Sequence, residues 1–342
     1  GTNNTMQVHL KSVYNDVLDK VELNQDSYIL DIGCNDGTLL NYFKSNNLFG
    51  CDPSNAIYDI KNKNLKIIND FFSADKFKNK FKNLKNKFKV ITSISMFYDI
   101  ENPNNFVYDI FELLDENGLW VVEMNYTKNI IEKMGFDMIS HEHVGYYTIL
   151  SFQNLINKHN LYINDISFNN INGGSIRFFC SKTNETNHNV ISQIKDEVNL
   201  GLDKPDVYIN LMKKINLLKI KLNNFLNAQV LKGKKIALYG ASTRNETVLQ
   251  FCGIDSNLLY AAAERNPGKV GLFTSGSRIP IKSEEDIRKD SPEFLFIGPY
   301  YFLDEFISRE KKYLSSGGKF IIPLPEPMII EDKNGEIVSE AI

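Results

Sequence analysis

The segment SYILDIGCNDGTLLNYF, residues 27–43, carries a short strand with no polar face into a turn that holds Gly33 and Gly37. A strand apolar on both faces is stable only between parallel neighbours covered by helices, so this segment commits the chain to an α/β sheet. LFGCDPSN continues the pattern as a strand ending at Asp52, IINDFF as a third ending near Asp70, FKVITSISMF as a fourth and GLWVVEMNY as a fifth. A helix is expected over about Met6–Leu23, another after the first glycine turn, and another over about Asn105–Leu114. The pattern then restarts. KKIALYGASTRNETVLQFC reads as strand, small-residue turn and helix, and LLYAAAERNP, PEFLFIGPYYF and GKFIIPLP read as three further strands. Pro323, Pro325 and Pro327 are read as the end of ordered pairing. Between the two series, residues 187–231 have a helical period with apolar Leu211, Ile215, Leu218 and Leu222. The expected fold is α/β: a Rossmann-like domain over 1–186, a helical connector over 187–231, and a smaller Rossmann-like domain over 232–342.

Length supports two domains, since 342 residues exceed one typical core. A net charge of −3 gives no global field for nucleic acid or an anionic membrane. No apolar run reaches the roughly 18 residues that span a bilayer, and the opening GTNNTMQVHLKS has no leader-like apolar stretch. Gly1 at the start is read as a trimmed terminus. Cys34, Cys51, Cys180 and Cys252 are too scattered for a zinc knuckle and suit a reducing cytoplasm.

Two of the five histidines fall in His141-Glu142-His143, inside FDMISHEHVGYY. Histidine exchanges protons near neutral pH, so a loop with two imidazoles and a carboxylate is the best candidate for acid–base chemistry. The plain alternative is a set of hydrogen-bonded structural histidines. A metal reading is set aside, because His141 and His143 have no third and fourth ligand nearby in sequence. Downstream, the turn NINGGS carries two glycines suited to positive φ.

The first glycine turn lacks the G-x-G-x-x-G dinucleotide fingerprint. Asp52 ends the next strand nineteen residues after Gly33, a spacing that suits an acid accepting both ribose hydroxyls. Asp70 would lie at an adenine edge. A glycine turn, a ribose acid and an adenine-edge acid, in that order, fit S-adenosylmethionine (SAM). The cofactor-binding residues expected are Asp31, Gly33, Asn35, Asp36, Asp52, Asp70 and Phe71.

DIGCNDGTLL, SMFYDIENPNNFVYDIFELLDENGLWVVEMNY, HEHVGYY with NINGGS, and YGASTRNET with GGKFIIPLPEP together resemble the NDP-sugar C-methyltransferases of branched deoxysugar synthesis. The resemblance implies a SAM-binding Rossmann domain, a C-terminal Rossmann-like domain, and zinc only in an N-terminal segment that this sequence does not contain. It implies a small nucleotide-sugar substrate, no nucleic-acid or membrane partner, and a monomer or homodimer. By the same resemblance His143 matches the base that removes a proton beside a ketone, Glu142 orients it, and His141 is a neighbouring polar contact. Ser140 stands where relatives carry a tyrosine proposed to help the enolate. Phe97, Tyr98 and Asp99 follow the fourth strand, where methyltransferases line the methyl-transfer pocket, and Phe97 and Tyr98 are taken as substrate contacts; Ser140, Tyr146, Asn172, Arg244 and Tyr300 complete the expected set. Arg244 could fork onto a phosphate or form a surface salt bridge; Asn245 and Glu246 replace the Gly-Asn usual in relatives, and Tyr300 a tryptophan. Transfer to a sugar hydroxyl, or a non-catalytic binding role, are the alternative functions.

Overall fold

The structure is a computed structural model that describes residues 4–82, 84, 86–298 and 300–342. Gly1, read above as a trimmed start, lies outside the described residues. The chain divides into two compact units: residues 1–128 with 144–203, and residues 129–143 with 204–342.

The first unit opens with α1 (Asn4–Leu18), followed by β1 (Tyr28–Ile32), β2 (Asn47–Cys51), β3 (Lys66–Ile68), α2 (Ala74–Lys80), β4 (Phe88–Ile94), α3 (Pro103–Leu113) and β5 (Leu114–Asn125). α4 (Thr127–Glu132) begins the excursion into the second unit. The chain returns with α5 (Ile149–Asn157), β6 (Tyr162–Asn169), β7 (Ser175–Ser181) and α6 (His188–Asn199). The sheet order is β3-β2-β1-β4-β5-β7-β6, parallel from β3 to β5, with β7 antiparallel between β5 and β6. Strands β1, β2, β4, β5 and β7 are largely buried on both faces, as continuous apolar runs demand. α3 starts where the Asn102 side chain accepts the Asn105 amide and Pro103 presets the first turn, and it buries Phe106, Val107, Ile110 and Leu113. The NINGGS turn between β6 and β7 places Asn172, Gly173 and Gly174 at φ of 58°, 88° and 124°, the left-handed backbone its glycines foretold.

The second unit continues with α7 (Pro205–Leu231), β8 (Ile236–Tyr239), α8 (Thr243–Cys252), β9 (Ala261–Glu264), β10 (Ile281–Ser283), α9 (Glu284–Asp290), β11 (Phe294–Phe296), α10 (Leu303–Arg309), α11 (Lys311–Ser315), β12 (Lys319–Ile322), β13 (Met328–Lys333) and β14 (Glu336–Ala341). Its sheet order is β10-β9-β8-β11-β12-β13-β14. The strand sequence reverses direction between β8 and β11, which defines a topological switch point.

The stretch 187–231 is two helices with different allegiances. α6 belongs to the first unit: its Glu197 accepts the Ile149 amide (2.6 Å), the Leu150 amide (3.0 Å) and the Tyr126 hydroxyl (2.9 Å), which caps α5. α7 belongs to the second, burying Leu211, Ile215, Leu218, Leu222 and Leu226 in its core. Residues 129–143 join the second unit because Phe136 enters that core, its ring 5.4 Å from that of Phe251. Two expectations are corrected here. No α-helix follows the first glycine turn directly; one 3-10 turn, Leu40–Tyr42, stands there. The prolines at 323–327 do not end pairing, since β13 and β14 extend the sheet as an antiparallel hairpin beyond them. Among the described residues no helix is long and apolar enough to cross a membrane.

Candidate active site

A cavity of about 1290 Å³ opens in the first unit at the carboxyl ends of β1, β2 and β4. The chain reaches its floor through a turn that only flexible residues tolerate: Gly33, Asn35 and Gly37 have φ of 76°, 50° and 75°. A Cβ on Gly33 would lie 3.2 Å from Met96 Cγ, so the glycine also admits the strand-end loop after β4. Asp52 ties the turn down. Its Oδ2 accepts the Asn35 amide (2.9 Å) and its Oδ1 the Ser54 amide (2.8 Å). Each oxygen retains a lone pair for a further donor, as a ribose acid requires. Asp31 accepts the Thr92 hydroxyl (2.6 Å); burial pushes its carboxyl up to about 7 against that bond, with the Asp52 charge adding to the rise. Asp70 and Phe71 lie on the rim, where the Lys76 ammonium, 2.8 Å away, holds the Asp70 carboxyl below the usual range.

All seven residues expected at the cofactor line this cavity, Asp31, Gly33, Asn35, Asp36, Asp52, Asp70 and Phe71. The described lining includes eight carboxylates and no lysine, arginine or histidine. That charge suits SAM, whose sulfonium and ammonium outweigh its single carboxylate.

Two expected substrate contacts are corrected. Phe97 is wholly buried, packed against Phe106, Trp120, Tyr147 and Phe152, and shows no surface to a ligand. Tyr98 is buried too, and its carbonyl accepts the amides of Val144 and Gly145 (both 2.9 Å). The lining residue of that segment is Asp99. Tyr146 is exposed, whereas Tyr147 packs on Phe97 and Phe152.

Sequence reading also missed one wall. Met6 and Leu10 of α1 line the cavity, and α1 is fixed by a buried ion cluster. Glu123 of β5, with no exposure, accepts His9 Nε2 (2.6 Å), Arg177 Nε (2.8 Å) and the Asn169 amide (3.0 Å). Arg177 also pairs with Asp16 of α1.

In the second unit His143 Nδ1 lies 2.7 Å from the Met138 carbonyl. A carbonyl only accepts, so Nδ1 carries the proton and the neutral ring keeps its lone pair on Nε2. Partial burial lowers the imidazole's pKa; the Met138 bond opposes this and the Arg244 cation adds to it. Burial and the Arg244 cation both favour the neutral ring. His141 and Glu142 are exposed and Ser140 half-buried on the same loop.

Arg244 lies in the first turn of α8, with its guanidinium 4.9 Å from the Tyr301 ring centroid and 3.9 Å from Asp137 Oδ2. Tyr300 follows β11, so Arg244 and Tyr300 stand at the switch point between β8 and β11. Burial raises the Tyr300 hydroxyl to about 12, so it remains a donor. Glu246 is turned into the fold: its carboxylate accepts the amides of Gly276 and Ser277 (both 3.0 Å) and the Ser277 hydroxyl. Asn245 is buried, donates to the Gly240 carbonyl (2.6 Å), and needs Gly298 opposite it, where a Cβ would collide.

Sheet order, cavity position and acid placement define a SAM-dependent methyltransferase. Residues 5–165 match the family model of a methyltransferase domain, and residues 170–325 match that of the C-methyltransferase C-terminal domain. The chain is 25% identical over 328 residues to the C-methyltransferase NovU of Streptomyces niveus, covering 94% of this chain and 78% of that protein. Among solved structures it is similar to the PH0226 protein of Pyrococcus horikoshii (12% identity, TM-score 0.41, 53% of this chain and 93% of that one). It is also similar to a SAM-dependent methyltransferase of Clostridium acetobutylicum (14% identity, TM-score 0.38, 50% and 89%). Along the chain, the match to a methyltransferase domain is thus followed by the match to the C-methyltransferase C-terminal domain.

Proposed function

We propose that this enzyme methylates a carbon of a nucleotide-linked keto sugar, with His143 as the base. The observation that carries the reading is the His143 tautomer. Met138 holds the proton on Nδ1, burial and Arg244 keep the ring neutral, and the basic lone pair is on Nε2. A neutral imidazole suits removal of a proton beside a ketone, because its free ring nitrogen lone pair can take the proton directly. SAM supplies an electrophilic methyl group. The chain's residues do the rest: Asp52 accepts the ribose hydroxyls, Asp31 and the Gly33–Gly37 turn shape the floor, and Asp70 and Phe71 take the adenine. His143 Nε2 removes the proton, and the resulting enolate carbon takes the methyl. Glu142 orients His143, and His141 gives a polar contact. Ser140, Tyr146 and Asn172 contact the sugar, Arg244 forks onto phosphate, and Tyr300, kept protonated, donates to an oxygen of the substrate.

His143→Gln tests the base. We expect turnover to fall by roughly 10²-fold or more while calorimetry shows SAM binding unchanged; turnover near that of the parent removes His143 from the mechanism. Incubation with a nucleotide 4-keto sugar in D₂O tests the carbon. With SAM withheld, deuterium should enter the recovered substrate beside the ketone in an enzyme-dependent way; a methylated product that keeps every C–H bond beside the ketone would instead assign the methyl to a hydroxyl oxygen.

A further inference from the structure

Asp137 is the one buried carboxylate in the second unit whose chemistry the fold does not explain. It sits in the turn Phe136–Met138 at 2% exposure, and neither oxygen has a hydrogen-bond partner among the described residues. Its support is electrostatic, from Arg244 and from the nearby amides of Asp137 and Met138. Burying a carboxylate without full pairing is costly, so such a group persists where it does something else. Its surroundings are all parts of the proposed site. Arg244 approaches Oδ2 at 3.9 Å and lies over Tyr301. The point where a Gly135 Cβ would sit is 3.7 Å from Asp137 Oδ1 and 3.6 Å from the Tyr300 hydroxyl, so that backbone position is bare beside both groups. The next residue, Met138, supplies the carbonyl that fixes His143.

We propose that Asp137 is a positioning residue, whose carboxylate steers the Arg244 guanidinium across the Tyr301 ring while its turn holds the Met138 carbonyl against His143 Nδ1. This rests on the reading of His143 as base and Arg244 as a substrate contact. Asp137 acts through both and touches no substrate itself. The mechanism is electrostatic and geometric. Arg244 disfavours the protonated form of His143, and Asp137 partly neutralises Arg244. Other charged and titratable groups bearing on the site are Glu142 and His141 on the loop, and Tyr300 and Tyr301 after β11. Removing the Asp137 charge takes away one anion that faces Arg244 and weakens the hold on its guanidinium over the ring. His143 then becomes harder to protonate, and the cation no longer has one fixed orientation for an anionic substrate.

The test is an NMR titration of the histidine ring protons in the full-length protein without substrate, with the His143 signal assigned by its loss in His143→Gln. The chain's five histidines make assignment tractable. Asp137→Asn is expected to lower the His143 midpoint by roughly half a unit or more, and Arg244→Met to raise it. In the Arg244→Met background, Asp137→Asn should lose at least about half its effect, because it acts largely through Arg244. Far-UV circular dichroism of Asp137→Asn should match the parent. The proposal is overturned by a His143 midpoint unchanged in Asp137→Asn, by an equal shift with and without Arg244, or by an Asp137→Asn chain that fails to fold. The readout needs no turnover, so a fully active His143→Gln enzyme would remove the base assignment and leave the coupling result standing.

Discussion

Asp137→Asn should stabilise the protein at neutral pH and lose that advantage in acid. Burial raises the Asp137 carboxyl from 3.8 to about 6, against the pull of Arg244. A folded pKa above the unfolded value means that folding favours the protonated acid. The group costs nothing below the unfolded value. The cost grows as pH rises from near 4 toward 6, and above 6 it is complete. A shift of about two units corresponds to about 3 kcal/mol of destabilisation at pH 7, good to about 1.4 kcal/mol. Asparagine keeps the shape and cannot ionise. It should therefore recover much of that energy at pH 7.5 and about none at pH 4.

Urea denaturation across this range measures the difference, with two probes. The single tryptophan, Trp120, is buried in the first unit, so its fluorescence follows that unit. Far-UV circular dichroism follows both units and so reveals the second. The expected result is a circular-dichroism transition moved to higher urea at pH 7.5, a fluorescence transition unmoved, and convergence with the parent near pH 4. An Asp137→Asn protein less stable than the parent at pH 7.5 would refute the reasoning. So would a stabilisation independent of pH, since it would show that the carboxylate is not the source.

Three further outcomes are expected. Arg177→Met leaves Glu123 without its strongest partner in a fully buried site, so thermal unfolding of the first unit should show a loss of about 3–5 kcal/mol; SAM affinity should fall with it, because α1 brings Met6 and Leu10 to the cavity. Asp52→Asn removes a charged acceptor, and calorimetry should show SAM binding weakened by roughly 10–100-fold with the fold intact. Gly33→Ala forces a side chain to φ of 76° against Met96 and should cost about 1–2 kcal/mol in denaturant, with a matching loss of cofactor affinity.

The sequence showed the sheet because its strands are buried on both faces. YILDI, NLFGC and FKVITSI have no solvent side, and a run with no polar face between turn residues has few alternatives. The residues that line the first unit's cavity were legible for a related reason: in a parallel sheet the cleft opens at the carboxyl ends of the strands, so strand-end acids and glycines fall in order along the chain. Phe97 was misplaced because its strand-end position is right while its ring turns inward, and linear sequence does not reveal side-chain direction within a 3-10 turn. β13 and β14 were missed because EIVSEA, the outer strand, is polar on an exposed edge and follows three prolines. His9 and Glu123 are 114 residues apart, and nothing local marks either as half of a buried pair. Asp137 was passed over because an aspartate beside Phe and Met looks like any surface residue until its burial is known.

Glu123 and Asp137 show two ways in which a buried carboxylate can serve a site. Glu123 has a histidine, an arginine and an asparagine on its two oxygens, so its charge is balanced and its geometry over-determined. Such a cluster fixes one arrangement, which is what a cavity wall made from an N-terminal helix requires. Asp137 has one cation at 3.9 Å and no close donor among the described residues. An arrangement that loose would be a defect in a wall. Beside the proposed base, His143, a carboxylate held this loosely is an adjustable charge. The Glu123 cluster therefore fixes α1 in one arrangement beside the first unit's cavity, while the proposed site in the second unit keeps an electrostatically adjustable carboxylate. The proposed reaction, with a methyl donor bound in one pose and a proton moved on and off His143 in every cycle, needs both.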